Sequence, residues 1–184
     1  CTVSPIAITL YPLMQIADIT SVKIFTQQAL SGGGRILLAE GRAGRQINSE
    51  IPGEAESIIT ELAKILSCDF DIEASCERVM RDHGHYARIE VEFVEPISAH
   101  QVVRAWRESY SRSQELNLPS ATKRPIIFVD GELDDNHRWV GFEQHKHPGL
   151  DLKAAMAVAV GEVEINGSKL RFSTMADNTI RGAA

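Results

Sequence analysis

The stretch Ile72-Glu73-Ala74-Ser75-Cys76-Glu77-Arg78, interrupted by Val79-Met80-Arg81-Asp82-His83-Gly84 and resumed by His85-Tyr86-Ala87-Arg88-Ile89-Glu90-Val91-Glu92-Phe93-Val94, decides the fold. Ile89, Val91 and Phe93 alternate with Arg88, Glu90 and Glu92. Successive strand residues point to opposite faces, so this is the pattern of a strand with one face in a core and one in water. Asp82-His83-Gly84 is a turn signal. The reading predicts two antiparallel strands that meet near His85 and place Arg78 and His85, on the two arms of a tight pair, at one rim.

Upstream, Val3, Ile6, Ile8, Leu10, Leu13 and Ile16 recur at helical spacing, giving a helix broken or closed near Pro12, with Pro5 restricting its start. Ser21 to Ala29 reads as a strand that runs into the permissive loop Ser31-Gly32-Gly33-Gly34. Ile58, Ile59, Leu62, Ala63, Ile65 and Leu66 mark a helix. Downstream, Pro96 and Ser98 open another helix through Val102, Val103 and Trp106. Strands are expected at Ile126 to Val129, around Trp139, at Ala155 to Val163 and at Lys169 to Thr174. Asn166-Gly167 is a hairpin turn between the last two. Strands interspersed with helices, without strict alternation, indicate an α+β domain: a mixed, largely antiparallel sheet with helices on one face.

The 184 residues suffice for one sizeable core, and the net charge of -6 is spread along the chain with no basic stripe, so no nucleic acid partner is expected. No apolar run approaches the roughly 20 residues that span a bilayer. A soluble, cytoplasmic protein with no membrane association is expected. The three cysteines, Cys1, Cys68 and Cys76, lack the paired spacing of a zinc site or disulfide framework. His145 and His147 have no acid or thiol neighbours that would make a metal site, so no metal is assigned. No Gly-x-Gly-x-x-Gly segment follows a strand and opens a helix, so the sequence lacks the usual pyrophosphate cradle of a dinucleotide site.

Several segments, in one order, carry a resemblance. Cys1-Thr2-Val3-Ser4 is similar to the nucleophile region of aspartate-semialdehyde dehydrogenases, in which the cysteine opens a helix. Thr26-Gln27-Gln28-Ala29-Leu30-Ser31-Gly32 resembles their Thr-x-Gln-Ala-x-Ser-Gly motif. Ser75-Cys76-Glu77-Arg78-Val79 and Gly84-His85 look like their Cys-x-Arg-Val strand and Gly-His turn. Gly53-Glu54-Ala55-Glu56 resembles a glutamate-rich helix entry, Pro119 to Ile126 resembles the Pro-Ser-Ala-x-Lys-x-Pro-Ile segment of the archaeal and fungal branch, and Asp177 to Ala184 resembles the terminal Asn-Thr-Ile-Arg-Gly-Ala-Ala. Met80-Arg81 departs from the usual Pro and apolar residue, Ser57 replaces a phosphate-binding lysine, and Asp134 to Pro148 matches nothing.

The resemblance implies a fold like the C-terminal domain of glyceraldehyde-3-phosphate dehydrogenase, with residues 1–184 as a catalytic and dimerisation domain whose nucleotide-binding Rossmann domain is not in this chain. It implies NADP as cofactor and an acyl phosphate or semialdehyde as small-molecule substrate, in a homodimer or dimer of dimers. The roles it carries over are Cys1 as nucleophile, His85 as acid/base and Gln28 as the amide that orients the carbonyl. Arg78 and Glu54 would bind substrate, and Ser31, Gly32, Gly33 and Asn178 would face the cofactor. A thiol at a helix amino end, beside a base, suits this work because the dipole favours thiolate. The alternatives are a malonyl- or succinyl-coenzyme A reductase of the same superfamily, a noncatalytic dimerisation module, and an amino-terminal nucleophile hydrolase using Cys1.

Overall fold

In a computed structural model, which describes residues 2–181, one mixed sheet of six strands runs in the order β2-β1-β3-β6-β5-β4. The elements in chain order are α1 (Val3–Met14), β1 (Ile19–Gln28), a 3-10 turn (Leu30–Gly33), α2 (Gly34–Arg42), α3 (Glu54–Leu66), β2 (Asp71–Arg78) and β3 (His85–Phe93). There follow α4 (Ala99–Arg107), α5 (Arg112–Glu115), β4 (Ile126–Phe128), a 3-10 turn (Asp135–Trp139), β5 (Val158–Asn166) and β6 (Lys169–Ala176). Three strand pairs are antiparallel, β1 with β3, β3 with β6 and β5 with β6, and two are parallel, β1 with β2 and β4 with β5. The α+β expectation is met.

Alternation sorts the two faces of the sheet. Val22 and Ile24 of β1, Ile89, Val91 and Phe93 of β3, and Leu170 and Phe172 of β6 are buried beneath α1, α3 and α4. Each such side chain contributes roughly 1.5–3 kcal/mol by leaving water. On the other face Lys23 pairs with Glu73, and Arg171 with Glu90 and Glu164. Exposed pairs of this kind add little stability but fix the pairing of neighbouring strands. Pro12 sits inside α1, where it removes one helical N–H and loosens the turn behind it. The indole of Trp106 donates to the Thr9 carbonyl in that turn at 2.9 Å, and its ring lies 4.9 Å from Phe172. Trp106 thereby locks α4 and α1 to the sheet.

Three expectations are corrected. The strands either side of Gly84 do not pair with each other, because β1 lies between them, parallel to β2 and antiparallel to β3. Period two tells which residues face the core, not which strand is the neighbour. The link from β2 to β3 instead crosses the end of β1, where Val79 N–H donates to Gln28 O, Leu30 N–H to Arg81 O and Ser31 N–H to Asp82 O. Around Trp139 there is a 3-10 turn in place of a strand, begun where Asp134 accepts from the Asn136 N–H at 2.8 Å. The glycine loop is a short 3-10 turn that runs straight into α2, a helix its polar sequence conceals. Asn166-Gly167 does form the hairpin turn, with Gly167 at φ +62°.

Replacing Trp106, which is 1% exposed, with Ala is expected to cost ~3–5 kcal/mol through the cavity and the freed Thr9 carbonyl. Urea unfolding followed by far-ultraviolet circular dichroism measures it.

Candidate functional site

Gln28 ends β1, Arg78 ends β2 in register with it, and His85 begins β3 on the other side. The corrected topology therefore still brings Arg78 and His85 to one rim of the sheet. The peptide groups of Ala29 hold both. Its N–H donates to His85 Nδ1 at 3.2 Å and its carbonyl accepts from Arg78 Nη1 at 3.0 Å. A methyl group added to Gly32 would lie 3.0 Å from Arg78 Nη1 and 3.1 Å from His85 Cε1. The absence of a side chain at 32 thus lets the loop backbone pack directly against both groups.

Glu54 is the first residue of α3, an end whose free N–H groups favour a carboxylate. Its Oε1 accepts from Gln28 Nε2 at 2.5 Å and from Thr2 Oγ1 at 3.1 Å, while Oε2 makes no hydrogen bond among the described residues. Thr2 was not among the residues singled out by sequence, since a threonine after a cysteine carries no signal of its own. Cys1 lies outside the described residues. Cys68 and Cys76 are free, half-buried thiols whose pKa burial pushes up, the opposite of what a nucleophile needs. Ser57 is exposed on the first turns of α3.

His85 is 5% exposed. Burial first, and then the nearby Arg78 guanidinium, lower its pKa to about 4. With Nδ1 accepting a backbone N–H, the neutral ring carries its proton on Nε2, and that atom is buried with no partner among the described residues. At neutral pH His85 presents an uncharged N–H donor rather than an imidazolium. An oxyanion formed beside it could accept a hydrogen bond from Nε2, and a nearby negative charge would raise the ring's pKa toward the ordinary histidine value.

The residues expected at a cofactor divide. Gly32 packs its backbone against Arg78 and His85, and at Gly33 an added methyl would meet the Leu37 side chain of α2, which would have to shift to admit it. Ser31 and Asn178 face each other: Asn178 Nδ2 donates to Ser31 Oγ at 3.0 Å, and its Oδ1 accepts the Gly84 N–H at 2.9 Å. Sequence reading also missed Arg138, which lies in the unmatched segment and sets its Nε 3.5 Å from the buried Asp177 carboxylate. Among the described residues no group of three or more His, Cys, Asp or Glu side chains could hold a metal, and no helix is long and apolar enough to cross a membrane.

The depressed His85 pKa has a consequence for stability. Between pH 6.5 and about 4 the unfolded chain binds a proton that the folded site refuses, so stability is full above the unfolded value and falls as pH drops. The loss attributable to this group is about 3 kcal/mol by pH 4. Thermal unfolding across this range, compared with His85→Asn, should show the dependence flattened in the variant.

No family model matches the chain. A protein named malonyl CoA reductase (NADP) from Metallosphaera sedula is 30% identical over all of this chain and 53% of its own length. An aspartate-semialdehyde dehydrogenase from Methanothermobacter thermautotrophicus is 28% identical over all of this chain and 54% of its own length. The crystal structure of aspartate semialdehyde dehydrogenase with NADP from Candida albicans superposes with a TM-score of 0.73 at 21% identity, covering 99% of this chain and 52% of that one. The chain spans about half the length of the relatives it matches. Over that half its sequence is similar to proteins named aspartate-semialdehyde dehydrogenase, archaeal and fungal ones included, and its fold is that of the matching half of the Candida albicans structure.

Proposed function

We propose that residues 1–184 are the catalytic and dimer-forming part of an NADP-dependent aspartate-semialdehyde dehydrogenase, which reduces L-aspartyl 4-phosphate to L-aspartate 4-semialdehyde in the cytoplasm. The observation that carries this reading is the rim itself. Arg78 keeps Nε and Nη2, and Glu54 keeps Oε2, without hydrogen bonds among the described residues. A guanidinium fork for a carboxylate beside a carboxylate oxygen for an ammonium suits the amino-acid end of such a substrate. In this reading the Cys1 thiolate adds to the acyl carbon, and phosphate leaves with the electron pair of the broken C–O bond. The product is a thioester on Cys1. Ser31, Gly32 and Asn178 would hold the nicotinamide end of NADPH, which would supply the hydride that reduces the thioester. His85 donates a hydrogen bond from Nε2 to the oxygen as charge develops there, and Gln28, its amide held by Glu54, orients the carbonyl. Collapse of the thiohemiacetal releases aldehyde and restores the thiolate.

No pyrophosphate cradle accompanies these residues, so the reading includes a separate nucleotide-binding unit. It also includes a two-fold homodimer through the exposed sheet face, where alternating charges can meet their complements in a second copy. A second reading has its own support. Ser57 stands where the phosphate-binding lysine is expected, and the malonyl CoA reductase matches the chain along its whole length, which favours an acyl-coenzyme A thioester as substrate with the same Cys1 and His85 chemistry.

Joined to a nucleotide-binding unit, the chain should reduce NADP with aspartate semialdehyde and phosphate. Cys1→Ala should abolish turnover, His85→Asn should mainly lower kcat, and Arg78→Leu should raise KM on the order of 100-fold by removing a charge-assisted pair. Activity on malonyl-coenzyme A without activity on the phosphate couple would select the second reading, and activity on neither would reject both. In the chain alone, Cys1 should alkylate faster than Cys68 or Cys76 at neutral pH, as peptide mapping after iodoacetamide would show. Light scattering should report a dimer.

A further inference from the structure

Asn178 is 4% exposed, and it spends its amide on the protein. The Gly84 N–H is a donor only, so the atom facing it at 2.9 Å is Oδ1, and Nδ2 is thereby turned to Ser31 Oγ at 3.0 Å. One amide thus joins three separate stretches: the end of the sheet beyond β6, the turn that precedes His85, and the 3-10 turn after β1. We infer that Asn178 is a positioning residue for His85, acting through the Gly84 N–H and Ser31, and not only a surface for the cofactor. The inference rests on the proposed role of His85.

The argument runs through what else holds the imidazole. Its only hydrogen bond among the described residues is the one Nδ1 accepts from Ala29 N–H, at 3.2 Å, and Ala29 belongs to the same stretch as Ser31. Asn178 therefore anchors both sides of that bond, the turn carrying the ring and the backbone carrying the donor. Gly84 sits at φ +90°, a conformation other residues rarely adopt, and its N–H is buried. Without an acceptor the turn would have to move to reach water, because a buried unpaired donor costs about 1–3 kcal/mol. That movement would hydrate the ring and detach Nδ1 from Ala29. Asp177, the preceding residue, accepts from Thr179 N–H at 2.8 Å and faces Arg138, so the segment that presents Asn178 is itself fixed.

The test reads the imidazole and needs no turnover. Long-range proton–nitrogen NMR of the chain should show wild-type His85 as the Nε2–H tautomer, titrating near pH 4. In Asn178→Ala the midpoint should move up toward the ordinary histidine value, the tautomers should mix, and the Gly84 amide should exchange at least about 10-fold faster. A general loss of stability would speed exchange throughout yet leave the titration of the folded molecules unchanged. An unchanged tautomer and titration in folded Asn178→Ala overturns the inference. Should that variant not fold, Asn178→Asp decides: its carboxylate can still accept from Gly84, so protection of Gly84 and the Nε2–H tautomer should persist, and their loss overturns the inference equally. Failure here leaves the proposed reaction standing, whereas inactivity of the joined enzyme leaves this result intact.

Discussion

The placing of His85 and Arg78 depends on the backbone of one residue. The N–H of Ala29 meets His85 and its carbonyl meets Arg78, so the backbone just beyond β1 fixes an imidazole and a guanidinium that come from two different strands. This works only because β1 is the middle strand of three. Had β2 and β3 formed the simple hairpin their sequence suggests, their ends would close on each other and no third backbone would stand between them. The link across the end of β1, sewn down by Val79, Leu30 and Ser31, is what converts a sheet edge into a rim with depth.

The electrostatics follow from that placement. A histidine buried beside a guanidinium stays neutral, and a neutral imidazole with Nδ1 already engaged has one remaining function, to donate from Nε2. The arrangement is poorly suited to holding a resident positive charge. It suits a fixed hydrogen-bond donor whose N–H is engaged only when negative charge appears nearby. Neutralising the site at rest also spares Arg78 a like-charge neighbour. Its own pKa is lowered by burial, but a guanidinium remains charged under ordinary conditions.

Much of this was legible in the sequence, and the misses have physical reasons. Alternation in Arg88 to Phe93 and helical spacing in Ile58 to Leu66 locate elements because burial imposes those periods. Asn166-Gly167 locates a hairpin because few residues accept its backbone geometry. Strand neighbours were not legible, since pairing depends on contacts between residues far apart in the chain. Nor was α2, whose exposed Arg35, Ile36 and Arg42 flank a glycine run that reads as loop. Within the site, Arg78, His85, Gln28 and Glu54 could be named from local motifs, but the hold of Ala29 on two of them could not, because a backbone group leaves no trace in residue identity.

Glu54 shows how the same atoms can serve fold and chemistry together. Both internal donors, Thr2 and Gln28, converge on Oε1, which orients the carboxylate and fixes the Gln28 amide with its nitrogen toward α3. The Gln28 carbonyl oxygen and the second oxygen of Glu54 are left for an incoming molecule. Because Thr2 leads α1 and Glu54 leads α3, the two helix starts are tied at the rim. A shift in either would move Thr2 relative to Gln28 and Arg78. The pairing of helix starts therefore couples the beginning of α1 to the rim formed by Gln28 and Arg78.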